Sequence, residues 1–442
     1  MTASVFDSLI FGGLFTDDTV AAQFEDREQI RSMLRVEAAL AIAEARVGLI
    51  PGEAAQHIDS VARTLDPDPS SLSAATTRDG VPVTALIDSL REAVGDSAAD
   101  FVHWGATSQD IMDTSLVLRM REVTAILDQR LAGLVDTLLT LARRHAGTPM
   151  LGRTRSQGAV PTSFGLKAAG WAAPLQRHRT RLAELKPRVL AVQLGGAAGT
   201  RSVLGEHGMR VLDELARELT LACPVLPWHS HRDGMAELAG WLSLVTGSLA
   251  KLGQDIILLT QTGISEVRVG GGGSSTMPRK NNPVGAELLV ALGRHNAVLL
   301  GEMHQAMIHD HERDGAAWNS EWLSLPQMAV SAGTAIARAR VLIDGLTVDT
   351  QRMSDNLQAL NGLACAEAAL FALARHMPRR EARQLVNTAV ERTGADGGHL
   401  LDRLAALTDA DVDWEALKHP SNQITTAITM LEQFLDPGAA DS

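Results

Sequence analysis

Two stretches of this chain carry large apolar residues at steps of three and four, and they constrain the fold more than any other feature. Leu116, Met120, Val123, Leu127, Leu131, Leu134, Leu138 and Leu141 form the first. Leu242, Val245, Leu249, Leu252, Ile256 and Leu259 form the second. That spacing puts every named side chain on one stripe of an α-helix, the seam along which helices pack in bundles. Shorter runs of the same kind cover Ile30 to Ala45, closed by Gly48 and Pro51, and Val83 to Val94. Helical pattern resumes from 284 to 307 and again to about 433, and no run of any length alternates with period two. The predicted class is all-α, with several helices of roughly 25 residues or more.

Alanine and leucine dominate, while the chain has seven Trp, eight Phe and no Tyr, a balance that favours close-packed helices. Long helices with few loops make rods, and rods bury their apolar seams by association, so a homo-oligomer is expected. The formal net charge of −12 argues against nucleic acid as a partner. An anionic ligand must then be caught by a local positive site. Cys223 and Cys365 are the only cysteines and lack metal-type spacing; they read as two buried thiols in a reducing compartment. The N-terminus lacks a basic segment followed by an apolar run, and no 18 apolar residues are uninterrupted. A cytoplasmic protein with no membrane partner is expected.

Three polar islands interrupt the helical pattern: 103–110, 152–157 and 269–284. The last holds four consecutive glycines, Gly270 to Gly273, then serines, a lysine and two asparagines. Each island alone is compatible with helix capping, and the glycine run with a linker. Asp110 or Ser108 is a candidate cap for the helix that follows. Together the islands offer Thr107, Ser108, Gln157, Lys280 and Asn282 as a cradle for carboxylates. The phosphate-loop, dinucleotide and serine-hydrolase motifs are absent.

Gly273-Ser274-Ser275-Thr276-Met277-Pro278-Arg279-Lys280-Asn281-Asn282-Pro283 resembles the signature of the fumarase/aspartase superfamily, Gly-Ser-Ser-x-Met-Pro-x-Lys-x-Asn-Pro. His103 to Asp110 resembles that family's His-x-Gly-x-Thr-Ser-x-Asp segment. Gly152-Arg153-Thr154 with Gln157 resembles its second segment, and Gly195 to Thr200 its glycine turn. The finer resemblance is to carboxymuconate cycloisomerases, through 102–110, Pro227-Trp228-His229 with Arg232-Asp233, and His311-Glu312-Arg313 followed by Trp318 and Glu321-Trp322. It implies an N-terminal helical domain (1–110), a central long-helix bundle carrying the loop 269–284 (111–350) and a C-terminal helical domain (351–442). It also implies a homotetramer with shared active sites, a small tricarboxylate substrate, and neither metal nor organic cofactor.

One departure bears on the chemistry. Amine- and water-eliminating members carry histidine where this chain has Arg155. A departing amine or hydroxide must be protonated, and a guanidinium cannot do it. A carboxylate leaving group, with a pKa of about 4, needs no acid. The substitution therefore favours opening and closing of a lactone, namely interconversion of 3-carboxy-cis,cis-muconate and 4-carboxymuconolactone. By resemblance the catalytic residues are Ser274 and Lys280. His103, Thr107, Ser108, Thr154, Arg155, Gln157, Ser275, Asn282 and Arg313 bind substrate. An amine lyase of the adenylosuccinate or argininosuccinate type is the alternative, and a binding protein on an inactivated lyase fold is a third reading.

Overall fold

The long elements are α1 (Asp26–Arg46), α2 (Ser108–Arg144), α3 (Phe164–Val189), α4 (Asp233–Thr260), α5 (Val284–Gln305) and α6 (Gly315–Asp344). The computed structural model describes residues 4–273, 277, 280–396 and 398–436. Shorter helices make up most of the remainder, and the chain is all-α. Both leucine seams face inward. In α2, Val123, Leu127, Leu131, Leu134 and Leu138 are fully buried, and the six seam residues of α4 are no more than 4% exposed. Each such side chain contributes about 1.5–3 kcal/mol relative to exposure, which is what fixes the helix faces. By length and composition α4 matches a membrane span, yet half of its most apolar window is buried inside the protein, as in a core helix.

The chain forms two compact units. The first comprises Met1–Leu131, Arg177–Gly247 and Ala291–Ala337. Its core gathers α1 residues such as Met33, Leu34 and Leu40 with Leu86, Leu90, Val192, Leu194 and Leu212. Helix α1 ends at Arg46 with Val47 as its cap, and Gly48 follows at φ +80°, a conformation that glycine adopts without strain. The second unit comprises Ala132–Gln176, Ser248–Val290 and Arg338–Ser442. One of its cores is built from Ala369, Leu373, Ala382, Leu400, Leu401 and Leu404, and a smaller one from Leu151, Leu357 and Ala364.

Two expectations are corrected. The sequence pattern starts a helical run at Pro161-Thr162 and shows no strand, whereas residues 149–163 are an antiparallel hairpin of β1 (Pro149–Thr154) and β2 (Gln157–Ser163) and α3 begins only at Phe164. Pro149, Gly152, Gly158 and Pro161 break the period-two pattern that marks a strand, which is why the hairpin was not expected. Cys223 is exposed rather than buried, its thiol donating to Asp213 at 3.1 Å; Cys365 is buried as expected.

Candidate active site

In the first unit the island 103–110 leads directly into α2. Thr107 precedes the helix, and Asp110, in its first turn, reaches back to accept from the Thr107 N–H at 3.0 Å. That contact satisfies a backbone donor left orphaned by the helix start. The buried Asp110 carboxylate also accepts from the N–H groups of Gly195 (2.7 Å) and Gly196 (2.9 Å) and meets His229 Nε2 at 2.7 Å. A Cβ at Gly195 would sit 2.7 Å from the His229 ring, so the close approach requires glycine. Asp110 is therefore both the helix cap and the anchor of the 195–200 turn.

The neighbouring Gln109 is fully buried. Its amide donates to His229 O at 3.0 Å, and its Oε1 accepts from Arg313 Nε at 3.0 Å. Arg313 Nη2 continues to Ala197 O at 3.2 Å. The structure thus brings Arg313 to the glycine turn through an amide and carbonyls, with no ion pair among the described residues. The Thr107 and Ser108 hydroxyls have no hydrogen-bond partner among the described residues, so both are available to a ligand.

His103 has φ +63°, unusual for a side-chain-bearing residue, and its Nδ1 lies 2.7 Å from Glu37 Oε1. A carboxylate only accepts, so Nδ1 is the donor and Nε2 faces away from Glu37. Burial works against a charge on His103, but the field and hydrogen bond of Glu37 outweigh it and raise the imidazole pKa above its ordinary value. Glu37 and Glu44 both lie within the buried face of α1. Neither Glu44 oxygen has a hydrogen-bond partner among the described residues, and burial together with Glu37 pushes its carboxyl up to about 9. Two glutamates seven residues apart in the stripe of Ile30 and Leu34 were a legible but unused sign of this pair.

In the second unit the island 152–157 is the tip of the β1–β2 hairpin. Thr154 pairs with Gln157 across a two-residue turn, Arg155 and Ser156, with φ of +51° and +65°. Positive φ at both positions is the hairpin-turn requirement that Asn-Gly usually meets. The side chains of Thr154, Arg155 and Gln157 are exposed and unpartnered among the described residues. The hairpin is anchored below its tip, where Arg153 grips the buried Glu266 with two bonds of 2.7 and 2.9 Å and Asn356 adds a third at 2.8 Å.

The neck of the glycine loop is closed by Asn282 N–H donating to Gly272 O at 2.9 Å and by Asn281 Nδ2 donating to Val269 O at 2.5 Å. A Cβ at Gly272 would lie 2.3 Å from Asn282 O, so this crossing also requires glycine. Lys280 is exposed, and neither its ammonium nor the Asn282 amide is partnered among the described residues. Ser274 and Ser275 lie outside the described residues.

A family profile described as Lyase matches residues 14–295, a span that includes all three islands. The chain belongs to the fumarase/aspartase superfamily of lyases. This lyase is 44% identical over 390 residues to a Pseudomonas aeruginosa protein named 3-carboxy-cis,cis-muconate cycloisomerase, covering 87% of this chain and 85% of that one. It is 35% identical to nitrosuccinate lyase of Streptomyces davaonensis over 98% of this chain and 92% of that one. The crystal structure of 3-carboxy-cis,cis-muconate lactonizing enzyme from Pseudomonas putida superposes with a TM-score of 0.90 at 37% identity, covering 97% and 98% of the two chains. Of the expected site residues of this lyase, His103, Thr107, Ser108 and Arg313 fall in the first unit, and Thr154, Arg155, Gln157, Lys280 and Asn282 in the second. Sequence reasoning missed Glu37, Gln109 and Glu266, whose partners lie 66 to 204 residues away in the chain.

Proposed function

We propose that this chain is a cycloisomerase interconverting 3-carboxy-cis,cis-muconate and 4-carboxymuconolactone. The observation that carries the reading is the hairpin tip. There, where amine lyases of the superfamily place a histidine, an exposed Arg155, unpartnered among the described residues, offers a fixed positive charge and no transferable proton. That suits a substrate carrying three carboxylates and a carboxylate leaving group. The relatives named as cycloisomerases, at 36–44% identity over most of the chain, support it.

In the lactonising direction a substrate carboxylate oxygen bonds to one carbon of the conjugated double bond. The π pair moves to the neighbouring carbon and into its carboxylate, giving an enolate-like intermediate. Ser274 gives its hydroxyl proton to that carbon and recovers one from solvent. In the reverse direction its alkoxide removes the proton and the ring carboxylate departs. Lys280 and loop N–H groups stabilise the alkoxide, and Lys280 and Asn282 stabilise the extra charge of the intermediate. His103, Thr107, Ser108, Thr154, Arg155, Gln157, Ser275 and Arg313 hold carboxylates. No metal or organic cofactor enters this scheme.

The same proposal includes a cytoplasmic homotetramer in which subunits share active sites. Exposed Leu244, Leu258, Val298, Leu323 and Val341 on α4, α5 and α6 are apolar surface that association would cover. The division at 110 and 350 belongs to it too; those positions fall beside the starts of α2 and of the Thr350–Gln358 helix. The test is ultraviolet absorbance of the purified protein with 3-carboxy-cis,cis-muconate and, separately, with adenylosuccinate. Loss of the diene band with the first alone is expected. Turnover of adenylosuccinate alone would replace this reading with an amine lyase, and inertness toward both would leave a binding protein.

A further inference from the structure

The first unit contains a second concavity that the reaction above does not use. It has a volume of about 520 Å³, and its walls include Phe24, Gln29, Ser73, Arg119, Trp318 and Trp322. Arg119 is its unusual member. The residue is 7% exposed, yet its guanidinium meets only carbonyl oxygens, those of Ser115 and Gln23, both at 3.4 Å, and the Phe24 ring at 5.8 Å. No carboxylate lies within ion-pair distance of it among the described residues. A buried cation without a counter-charge is costly, and proteins ordinarily pair such groups. Desolvation draws the Arg119 pKa down to about 10, against the weaker opposing field of Glu28.

Asp113 and Glu321 on these walls are already neutralised by Arg232, while Asp26 is exposed and carries no ion pair among the described residues. Asp113 accepts from Arg232 Nη1 at 2.7 Å and Nη2 at 3.1 Å, and from Trp318 Nε1 at 3.2 Å; Glu321 accepts from Arg232 Nε at 2.7 Å. Arg232, itself fully buried, lies over the Trp228 ring at 4.7 Å. The cavity thus offers one unmatched positive charge, the half-buried carboxamide of Gln29, and a wall of two indoles whose ring centroids are 4.7 Å apart.

We propose that this cavity binds a small, flat monocarboxylate, with its anionic group on Arg119 and its apolar body against Trp318 and Trp322. A second or third carboxylate would meet Asp113, Glu321 and Asp26 on the same walls with no free cation, so the tricarboxylate substrate is excluded from it. The site is therefore distinct in ligand charge from the one that turns substrate over, and it stands whether or not the cycloisomerase reading does.

The experiment is isothermal titration of the full-length protein with benzoate as the probe and benzamide as its uncharged counterpart. Two variants accompany it: Arg119→Gln removes the charge, and Ser73→Trp fills the cavity from an exposed wall position without touching Arg119. Benzoate should bind the wild type at least about tenfold more tightly than benzamide, as expected for a charge-assisted contact. Binding should be lost in both variants while circular dichroism and substrate turnover in Ser73→Trp stay as in the wild type. Absence of benzoate binding to the wild type, equal binding of benzamide, or retained benzoate binding in either folded variant overturns the proposal. Should Arg119→Gln fail to fold, the Ser73→Trp titration decides alone.

Discussion

Around Asp110, four donors converge on one buried carboxylate; at Thr154 to Gln157, four consecutive side chains stand in solvent with none of them paired among the described residues. The first region uses its polar groups to fix backbone shape: the start of α2, the 195–200 turn and the seat of Arg313. What it leaves to a ligand is a pair of hydroxyls, the outer face of His103 and Arg313 Nη1, which has no partner among the described residues. The second region is braced from beneath by Arg153 and Glu266, and the glycine-loop neck by the crossing of Gly272 with Asn282, and among the described residues Arg155 and Lys280 have no partner for their charges. In a chain of net charge −12 those local cations are what would draw an anionic substrate in. One region holds shape and the other holds unsatisfied chemistry.

Substitutions should separate the two. Asp110→Ala takes the acceptor away from His229 Nε2 and strands two buried glycine N–H groups, so it should cost about 3–5 kcal/mol in urea unfolding, with activity falling because the fold does. Retention of full stability would mean that the cluster is not structural. Lys280→Ala should do the reverse. A loss of roughly 10²–10³ in kcat is expected with unfolding free energy unchanged within about 0.5 kcal/mol. A drop in stability comparable to that of Asp110→Ala would erase the distinction.

Arg155→His tests the hairpin tip more gently. Loss of one charge-assisted carboxylate contact should lower kcat/KM for the carboxymuconate by about 10–100-fold without creating an amine lyase. An unchanged kcat/KM would remove Arg155 from the site. The smallest effect concerns His103. Its pKa is raised in the folded protein, so the stabilisation from its pairing with Glu37 is fully present below about pH 6.5 and is lost as pH rises through the raised value. Substrate affinity should weaken over that same alkaline rise. Glu37→Gln should move the inflection in KM to lower pH with little change in kcat, and an inflection that does not move would detach Glu37 from the site.

The same contrast accounts for what the residues disclosed in advance. The α2 and α4 seams are legible because a helix buries what recurs every three or four residues, and leucines at that spacing belong in a core. The glycine loop is legible because eight specified signature positions fall within eleven consecutive residues. The hairpin was hidden by its prolines and glycines and by a turn made of Arg155 and Ser156 instead of Asn-Gly. The Asp110 cluster was legible only as a helix cap. Its other partners, Gly195, Gly196 and His229, arrive from 85 to 119 residues away, and only the fold puts them beside one another.

The central claim is that the shape-holding region and the chemistry-holding region of different subunits make one site. Ser108→Ala and Ser274→Ala variants, each inactive alone, would be unfolded together, reassembled and assayed with 3-carboxy-cis,cis-muconate. Partial recovery of diene loss in the mixed assemblies is the predicted result. No recovery in assemblies verified to contain both variants would contradict it.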